Sequence, residues 1–571
     1  MSTPRLKFVL CWHMHQPWYR ETLHGEFSLP WVYLHALKDY SDMAAHLEAH
    51  PGMRAVVNFT PVLLEQLEDY ARQIEDWLTR GRPMDDPLLN ALAGARPLPE
   101  GRRERQALVR ACLRAHAPHM IDPHPAFREL LRPLGHPEIP DGELPLLDYL
   151  NDQYLLDLLT WYHLAWTGHS LRDHPTVQAL MHKGRLFEPG ERRALLRLFG
   201  EVIGALPGRY RALAESGRVE LSMTPYSHPI VPLLLDFESA RCALPGCRLP
   251  QHSGYPGGAR RAWWQMEHGL AVFERFFGFR PRGVWLSEGA VSEEAVALLP
   301  QFGIDWTASG EGVWHNSRAV SELPHNTPEH RRELFSPHRL PEIDTRLFFR
   351  DDGLADLIGF EYQHWHADDA VADFMRHLGN IHAFLGERVE EHVVTVILDG
   401  ENAWEYYPDN AWHFLDGLYR ALEDSPLVEP LTFSEALARS REVALPRLCP
   451  GSWVYGSFST WIGEDDKNRA WDLLVEAKLA YDRAMAGGGL DPQQQREAEL
   501  QLAVCEGSDW FWWFGDYNPA DSVQAFDRLY RQQLRHLYEL LGRTPPAALE
   551  QPISRGGGQA ANAGTMRRGH E

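Results

Sequence analysis

Residues 393–407, VVTVILDGENAWEYY, run through β-branched and apolar positions and stop at Asp399, with Glu401 and Glu405 close behind. A second segment, GVWLSEG at 283–289, ends on Glu288. A buried strand that delivers a carboxylate to an aromatic-lined opening is how a parallel barrel presents a catalytic acid. Two such carboxylates suit the opening of a glycosidic bond, which needs a proton for the departing oxygen and an anion for the oxocarbenium-like centre. Like charge from Glu401 and Glu405, with partial burial by Trp404 and Tyr406, is expected to raise the Asp399 pKa as a proton donor requires. Glu288 suits the nucleophile if a donor holds it ionised. Helix capping or cation binding is the competing role for both.

His13 and His15 in CWHMHQPWYR lie two residues apart, which on a strand puts both imidazoles on one face. That spacing permits a metal site with Asp399 or His228 as third ligand, and with it a metal-dependent hydrolase. The continuation Gln16-Pro17-Trp18-Tyr19 favours a strand end lined by substrate-binding groups instead. In VELSMTPYSHPIVPLL, 219–234, Glu220 sits inside a strand and needs a partner there, so it reads as an orienting residue or a sugar-hydroxyl acceptor. His228, beyond the strand, is a hydrogen-bonding candidate. Two aromatic patches, GSWVYGSFSTWIGEDD at 451–466 and EGSDWFWWFGDYN at 506–518, contain Trp461, Asp509 and Trp510. WFWWF on a helix surrounds the axis, so at least one ring must leave the core stripe. Trp404, Trp461 and Trp510 are candidate substrate platforms, with packing between domains as the alternative. No phosphate loop, GxSxG or HExxH occurs.

The elements that must position these residues are short apolar runs at 8–12, 55–59, 219–223, 284–286, 304–306, 354–360 and 393–398, separated by helical patterns. Strands alternating with helices predict an α/β fold, an incomplete (β/α)7 barrel. Helices are expected at 63–78, 155–166, 262–278 and 292–303, the last capped by Ser292, and loops at 85–107 and 245–260. From about 431 the pattern turns to long helices, including 468–485 and 522–542. The expected organisation is a catalytic domain at 1–430 with helical insertions, a helical domain at 431–550 that helps form the cleft, and a disordered tail at 551–571.

A formal charge of -23 disfavours nucleic acid or an anionic membrane as partner. A neutral polyhydroxylated ligand remains compatible, and 20 tryptophans favour one whose C–H faces stack on indole. Six cysteines without CxxC spacing, an opening MSTPRLKFVLCWHMHQP unlike a signal peptide, and no long apolar run give cytoplasmic residence with reduced thiols as the expectation.

Taken together, HMHQPWYR, GRVELSMTPYSHPIVPLL, VWLSEGAVSEEAV, VVTVILDGENAWEYY, GSWVYGSFSTWIG and EGSDWFWWFGD span residues 13 to 516. In content and order they resemble glycoside hydrolase family 57, its α-amylase and amylopullulanase branch. The resemblance implies a seven-stranded (β/α) barrel with a helical domain, a retaining mechanism, Glu288 as nucleophile and Asp399 as general acid/base. It also implies substrate-site roles for His13, His15, Glu220, His228, Trp285 and Asp509, an α-glucan substrate, and no obligatory cofactor or metal. A 4-α-glucanotransferase or branching enzyme uses the same carboxylates; a non-catalytic glycan-binding protein is the alternative of a different class. One departure stands out: where relatives carry a Thr-Asp-Glu run after the fifth strand, residues 306–313 read WTASGEGV, with Ser309 and Gly310 before Glu311.

Overall fold

The computed structural model describes residues 4–137, 139, 142–324, 327–559 and 561–569. Among the described residues nine strands form: β1 (Leu6–Met14), β2 (Ala55–Phe59), β3 (Val219–Met223), β4 (Trp306–Gly310), β5 (His338–Arg339), β6 (Arg346–Arg350), β7 (Val393–Asp399), β8 (Val428–Leu431) and β9 (Val443–Ala444). One sheet runs β3-β2-β1-β7, all parallel, with β8 also paired to β1; the second runs β4-β6-β5-β9. β1 is buried at every position, as its nearly unbroken apolar sequence requires for a strand covered on both faces. Single parallel bridges, Met223 to Val284 and Gly283 to Trp306, connect the two sheets through the segment that leads to Glu288. Elsewhere the Asp351 N–H donates to the Thr395 carbonyl (2.9 Å) and Thr395 Oγ1 to the Phe349 carbonyl (2.7 Å), joining β6 to β7. The architecture is therefore α/β with a parallel sheet core and a C-terminal helical region.

Three expectations need correction. The run 354–360 is helical, Asp352–Asp356 followed by Leu357–Glu361; its apolar residues at 354, 357 and 358 follow helical spacing, and Asp351 Oδ1 caps the Leu354 N–H at 2.8 Å. The strand in that region is RLFFR at 346–350, whose flanking arginines mask a three-residue apolar centre. The expected loop at 85–107 contains helix Pro87–Ala93, capped by Asp86, and the start of helix Arg102–Ala111. The expected strand at 304–306 begins only at Trp306, and 284–286 contributes bridges rather than a named strand.

Helices Pro61–Arg80, Asp152–Ala165 and Gly258–Phe277 lie at their expected positions; the helix expected at 292–303 is α-helical over Glu293–Leu298 and 3-10 over Leu299–Phe302, and Ser292 Oγ accepts from the Ala295 N–H at 3.2 Å. After β9 come helices Asp465–Gly487, Pro492–Cys505 and Ala520–Leu540. Residues 551–569, read from composition as disordered, make contacts where described: Met566 is buried, Trp512 Nε1 donates to the Gly564 carbonyl (2.8 Å), and Arg567 lies over the rings of Trp512 and Tyr517. Among the described residues no helix is long and apolar enough to cross a membrane.

Candidate active site

The strand ends bring Asp399 beside His13, its register partner on β1. After Asp399 the chain doubles back over β1, the Gly400 N–H donating to the His13 carbonyl at 2.7 Å. A Cβ at 400 would stand 2.2 Å from Met14 Sδ, so a larger residue would have to displace the end of that buried side chain. Asn402 Nδ2 donates to Asp399 Oδ2 at 2.8 Å. Glu288 closes its segment in the left-handed region, φ 59° and ψ 22°, and His228 opposite it has φ 65°. Non-glycine residues rarely hold that conformation, and two facing one another at 3.9 Å (His228 Nδ1 to Glu288 Oε1) mark a locally strained site.

Trp453 is the residue that sequence reasoning missed. Its Nε1 donates to Glu288 Oε2 at 2.8 Å and its backbone N–H to the Glu288 carbonyl at 3.1 Å. The indole is held by the Arg350 guanidinium 4.5 Å from one ring centroid and by Trp285 at 5.1 Å. The segment fits only because residue 310 is glycine: a Cβ there would lie 2.6 Å from Trp453 Cα. Ser309 Oγ meanwhile donates to the Gly289 carbonyl at 2.6 Å. The Ser309–Gly310 departure thus makes room for, and braces, the loop that presents Glu288. Trp453→Phe is expected to lower kcat about 10–100-fold, the loss of one hydrogen bond to a charged group. It should also move the alkaline limb of the pH–rate profile, near 8, upward, since the lost donor favours ionised Glu288; an unmoved limb would mean that the indole only packs.

A directed hydrogen-bond chain runs behind the carboxylates. Asn58 Nδ2 donates to Ser222, so its Oδ1 accepts from His13 Nδ1 (2.7 Å); His13 Nε2 then accepts from His228 Nε2 (3.2 Å), and His228 Nδ1 accepts from Ser508 Oγ (2.7 Å). Burial pushes His13 down to about 3 and His228 well below the ordinary range, so both rings stay neutral, as this chain requires. His15 bonds Thr60 Oγ1 (3.0 Å) and Asp509 Oδ1 (2.9 Å), tying β1 to the helical region.

His15, His228 and Asp509 bring one ligand atom each within 4.8 Å of one another. The His15 and His228 rings, however, are stacked at 3.8 Å with 15° between planes. A metal must lie near the plane of each imidazole that binds it, so face-to-face rings cannot aim both lone pairs at one ion. His228 also has both nitrogens engaged already. The cluster is built for hydrogen bonding, not for a metal.

Both carboxyls lie above their ordinary range. Burial, then the charge of Asp399, raises Glu288 to about 8; burial raises Asp399 to about 6, against Asn402, His15 and Arg350. Burial of Asp399, rather than its neighbours in sequence, is therefore what makes it a proton carrier. Glu401, also buried, is pushed well above its usual value by burial and then by the charge of Asp399. The pair carries one proton between about pH 6 and 8, which these values put mainly on Glu288; the form with the proton on Asp399 and Glu288 ionised is the minor arrangement of the same pair.

Other candidates lie elsewhere. Glu220 bonds Trp306 Nε1 (2.7 Å), Ser434 N (2.9 Å) and Ser434 Oγ (2.6 Å), near the opposite end of its strand from the carboxylates, where it caps helix Phe433–Arg439. Trp404, Trp461 and Trp510 are almost fully buried, and Trp404 and Trp510 donate to the carbonyls of Gly400 and Val504. They pack the core rather than offer a face to a sugar. Trp285 is buried too and acts through Trp453. In WFWWF, Trp512 and Trp513 are the rings that leave the core.

The α/β fold thus brings two buried carboxyls, Asp399 at a strand end and Glu288 in the bridged segment beside it, together with two neutral histidines. The family model for glycosyl hydrolase family 57 matches residues 9–448, and the chain belongs to that family. No curated protein sequence matches it. Among solved structures it is similar to an α-amylase from Thermotoga maritima (15% identity, 96% of each chain covered, TM-score 0.56). It is also similar to a GH57 branching enzyme from Thermococcus kodakaraensis (16% identity, 94% of this chain and 90% of that one, TM-score 0.54) and to a 4-α-glucanotransferase from Thermococcus litoralis (14%, 94% and 60%, TM-score 0.50). At these identities the likeness is one of fold.

Proposed function

We propose that this chain is a retaining glycoside hydrolase that opens internal α-1,4 bonds of α-glucans, with α-1,6 bonds as further targets. The observation that carries the reading is the coupled pair, Glu288 held by Trp453 Nε1 and Asp399 held by Asn402, in a family 57 chain. Asp399 gives its proton to the glycosidic oxygen while Glu288 attacks the anomeric carbon. Asp399 then takes a proton from the water that releases the sugar. His13, His15, His228 and Asp509 line the adjoining wall. Supporting this geometry, we read the two sheets, the bridges at 283–284 and the β6–β7 contacts as a closed seven-stranded (β/α) barrel, with its helical companion from about 431.

A second reading has an acceptor hydroxyl in place of water, making the enzyme a glucanotransferase or branching enzyme; the similarity in fold to both an amylase and a branching enzyme keeps it in play. Product analysis on end-labelled amylose and on pullulan separates them. New reducing ends with shorter products are expected. Redistribution into longer or branched chains with few new ends assigns transfer, and no turnover of either glucan overturns the substrate class.

The pH profile of kcat/KM is expected to be a bell with limbs near 6 and 8. Below the lower limb both carboxyls are protonated and no nucleophile remains; above the upper one both are ionised and no acid remains. A profile flat from pH 5 to 9 would contradict the coupled pair.

A further inference from the structure

Cys242 and Cys449 lie 207 residues apart in sequence, with their sulfurs 3.0 Å apart. That is within about 1 Å of bonding distance for two sulfurs. Cys242 is exposed, in the short helix Ala240–Ala243, whereas Cys449 is buried; the other four cysteines are also buried. Cys449 belongs to a segment stitched to the nucleophile's own loop. The Leu448 N–H donates to Glu293 (2.8 Å), the Cys449 N–H to Ser317 (2.9 Å), and Gly451 and Val291 exchange backbone bonds (3.1 and 2.9 Å). Four residues past Cys449, Trp453 reaches Glu288.

We propose that Cys242 and Cys449 are a redox modification site, closing to a reversible disulfide that tethers the Trp453 segment to the 240–243 helix. The reaction is thiol–disulfide exchange with a low-molecular-weight disulfide such as glutathione disulfide. The exposed Cys242 thiolate attacks one glutathione sulfur, expelling one glutathione thiolate and leaving a mixed disulfide. Cys449 then loses its proton to that thiolate and attacks the Cys242 sulfur, expelling the second glutathione. Two protein thiols are oxidised, one glutathione disulfide is reduced to two thiols, and protons and electrons balance. Burial holds the Cys449 thiol above its usual range, which fixes the order: Cys242 first, Cys449 as the resolving partner. The functional consequence deepens the proposed active-site reading, but the site itself does not depend on it.

The test equilibrates the purified full chain with glutathione buffers of increasing oxidation, blocks remaining thiols with iodoacetamide, and maps peptides by mass spectrometry. The expected product is the Cys242 peptide joined to the Cys449 peptide with loss of two hydrogen atoms. It should migrate faster on a non-reducing denaturing gel and melt about 5 °C higher, because the closed loop is long. Dithiothreitol and Cys242→Ser should abolish each change. Cys242→Ser alters an exposed position, so it keeps the test valid even if Cys449→Ala disturbs the core. A glutathione adduct that persists on Cys242, or a Cys242–Cys242 dimer, overturns the proposal. None of these readouts involves glucan turnover, so failure here is separable from failure of the catalytic assignment.

Discussion

Replacing Glu288 by glutamine is expected to lower glucan turnover by at least about ten-thousand-fold while making the protein more stable at alkaline pH. The first effect follows from deleting the proposed nucleophile of a covalent mechanism, for which binding and the remaining acid cannot compensate. The second follows from burial. A carboxyl whose folded-state pKa lies above its unfolded value favours the fold at low pH and withdraws that stability as the pH climbs through the folded value. For Glu288 the window runs from the ordinary 4.5 to about 8. Above it, wild type bears a buried, like-charged anion that the amide does not, a difference on the order of 3 kcal/mol. Thermal melts of both proteins at pH 5 and pH 9 check this. They should nearly coincide at the lower pH and separate at the higher one, and equal separation at both would show that ionisation is not the cause. Residual turnover above about 1% would place the nucleophile elsewhere.

Asp399→Ala is expected to cost about 10³–10⁴-fold on amylose, yet far less on a glucoside whose leaving group needs no proton. Adding azide to this variant should restore rate and yield a glucosyl azide of retained configuration, because the anion intercepts a glucosyl-enzyme still attached to Glu288. The same anion offered to Glu288→Gly should give the inverted azide instead. Removing Asp399 also removes a charge that helps raise Glu288, so Glu288 should ionise below about 8 in this variant. Identical azide stereochemistry from the two variants would show the roles to be misassigned. A loss on the activated glucoside as large as that on amylose would point to a structural defect.

The site was unevenly legible in the chain. Asp399 and Glu288 were readable because each ends an apolar run, and a strand terminus is a position that local sequence marks. The His13–His15 spacing was readable as a shared face, but not its use, since the stacking of His15 on His228 depends on a residue more than two hundred positions away. The tryptophans misled for a related reason. Trp404, Trp461 and Trp510 sit in motifs beside the carboxylates, yet adjacency in a motif does not say which way a ring points, and theirs point into the core. Trp453 carried no signal beyond membership of GSWVYG; its importance rests on glycine at 310 allowing the two backbones to meet.

Periodicity, the order of short apolar runs and the residues that end them were enough to determine the α/β class, the parallel core, the family and the two carboxylates proposed to lead its chemistry, because each is encoded within a few consecutive residues. Tertiary structure alone decided that burial, more than neighbouring charge, lifts Asp399, and that Glu220 caps a helix at 433–439. It alone showed that an indole from 453 holds Glu288 and that Cys242 meets Cys449. Those facts depend on contacts between distant segments and on the water they exclude, and neither distance in space nor dielectric is written in local sequence.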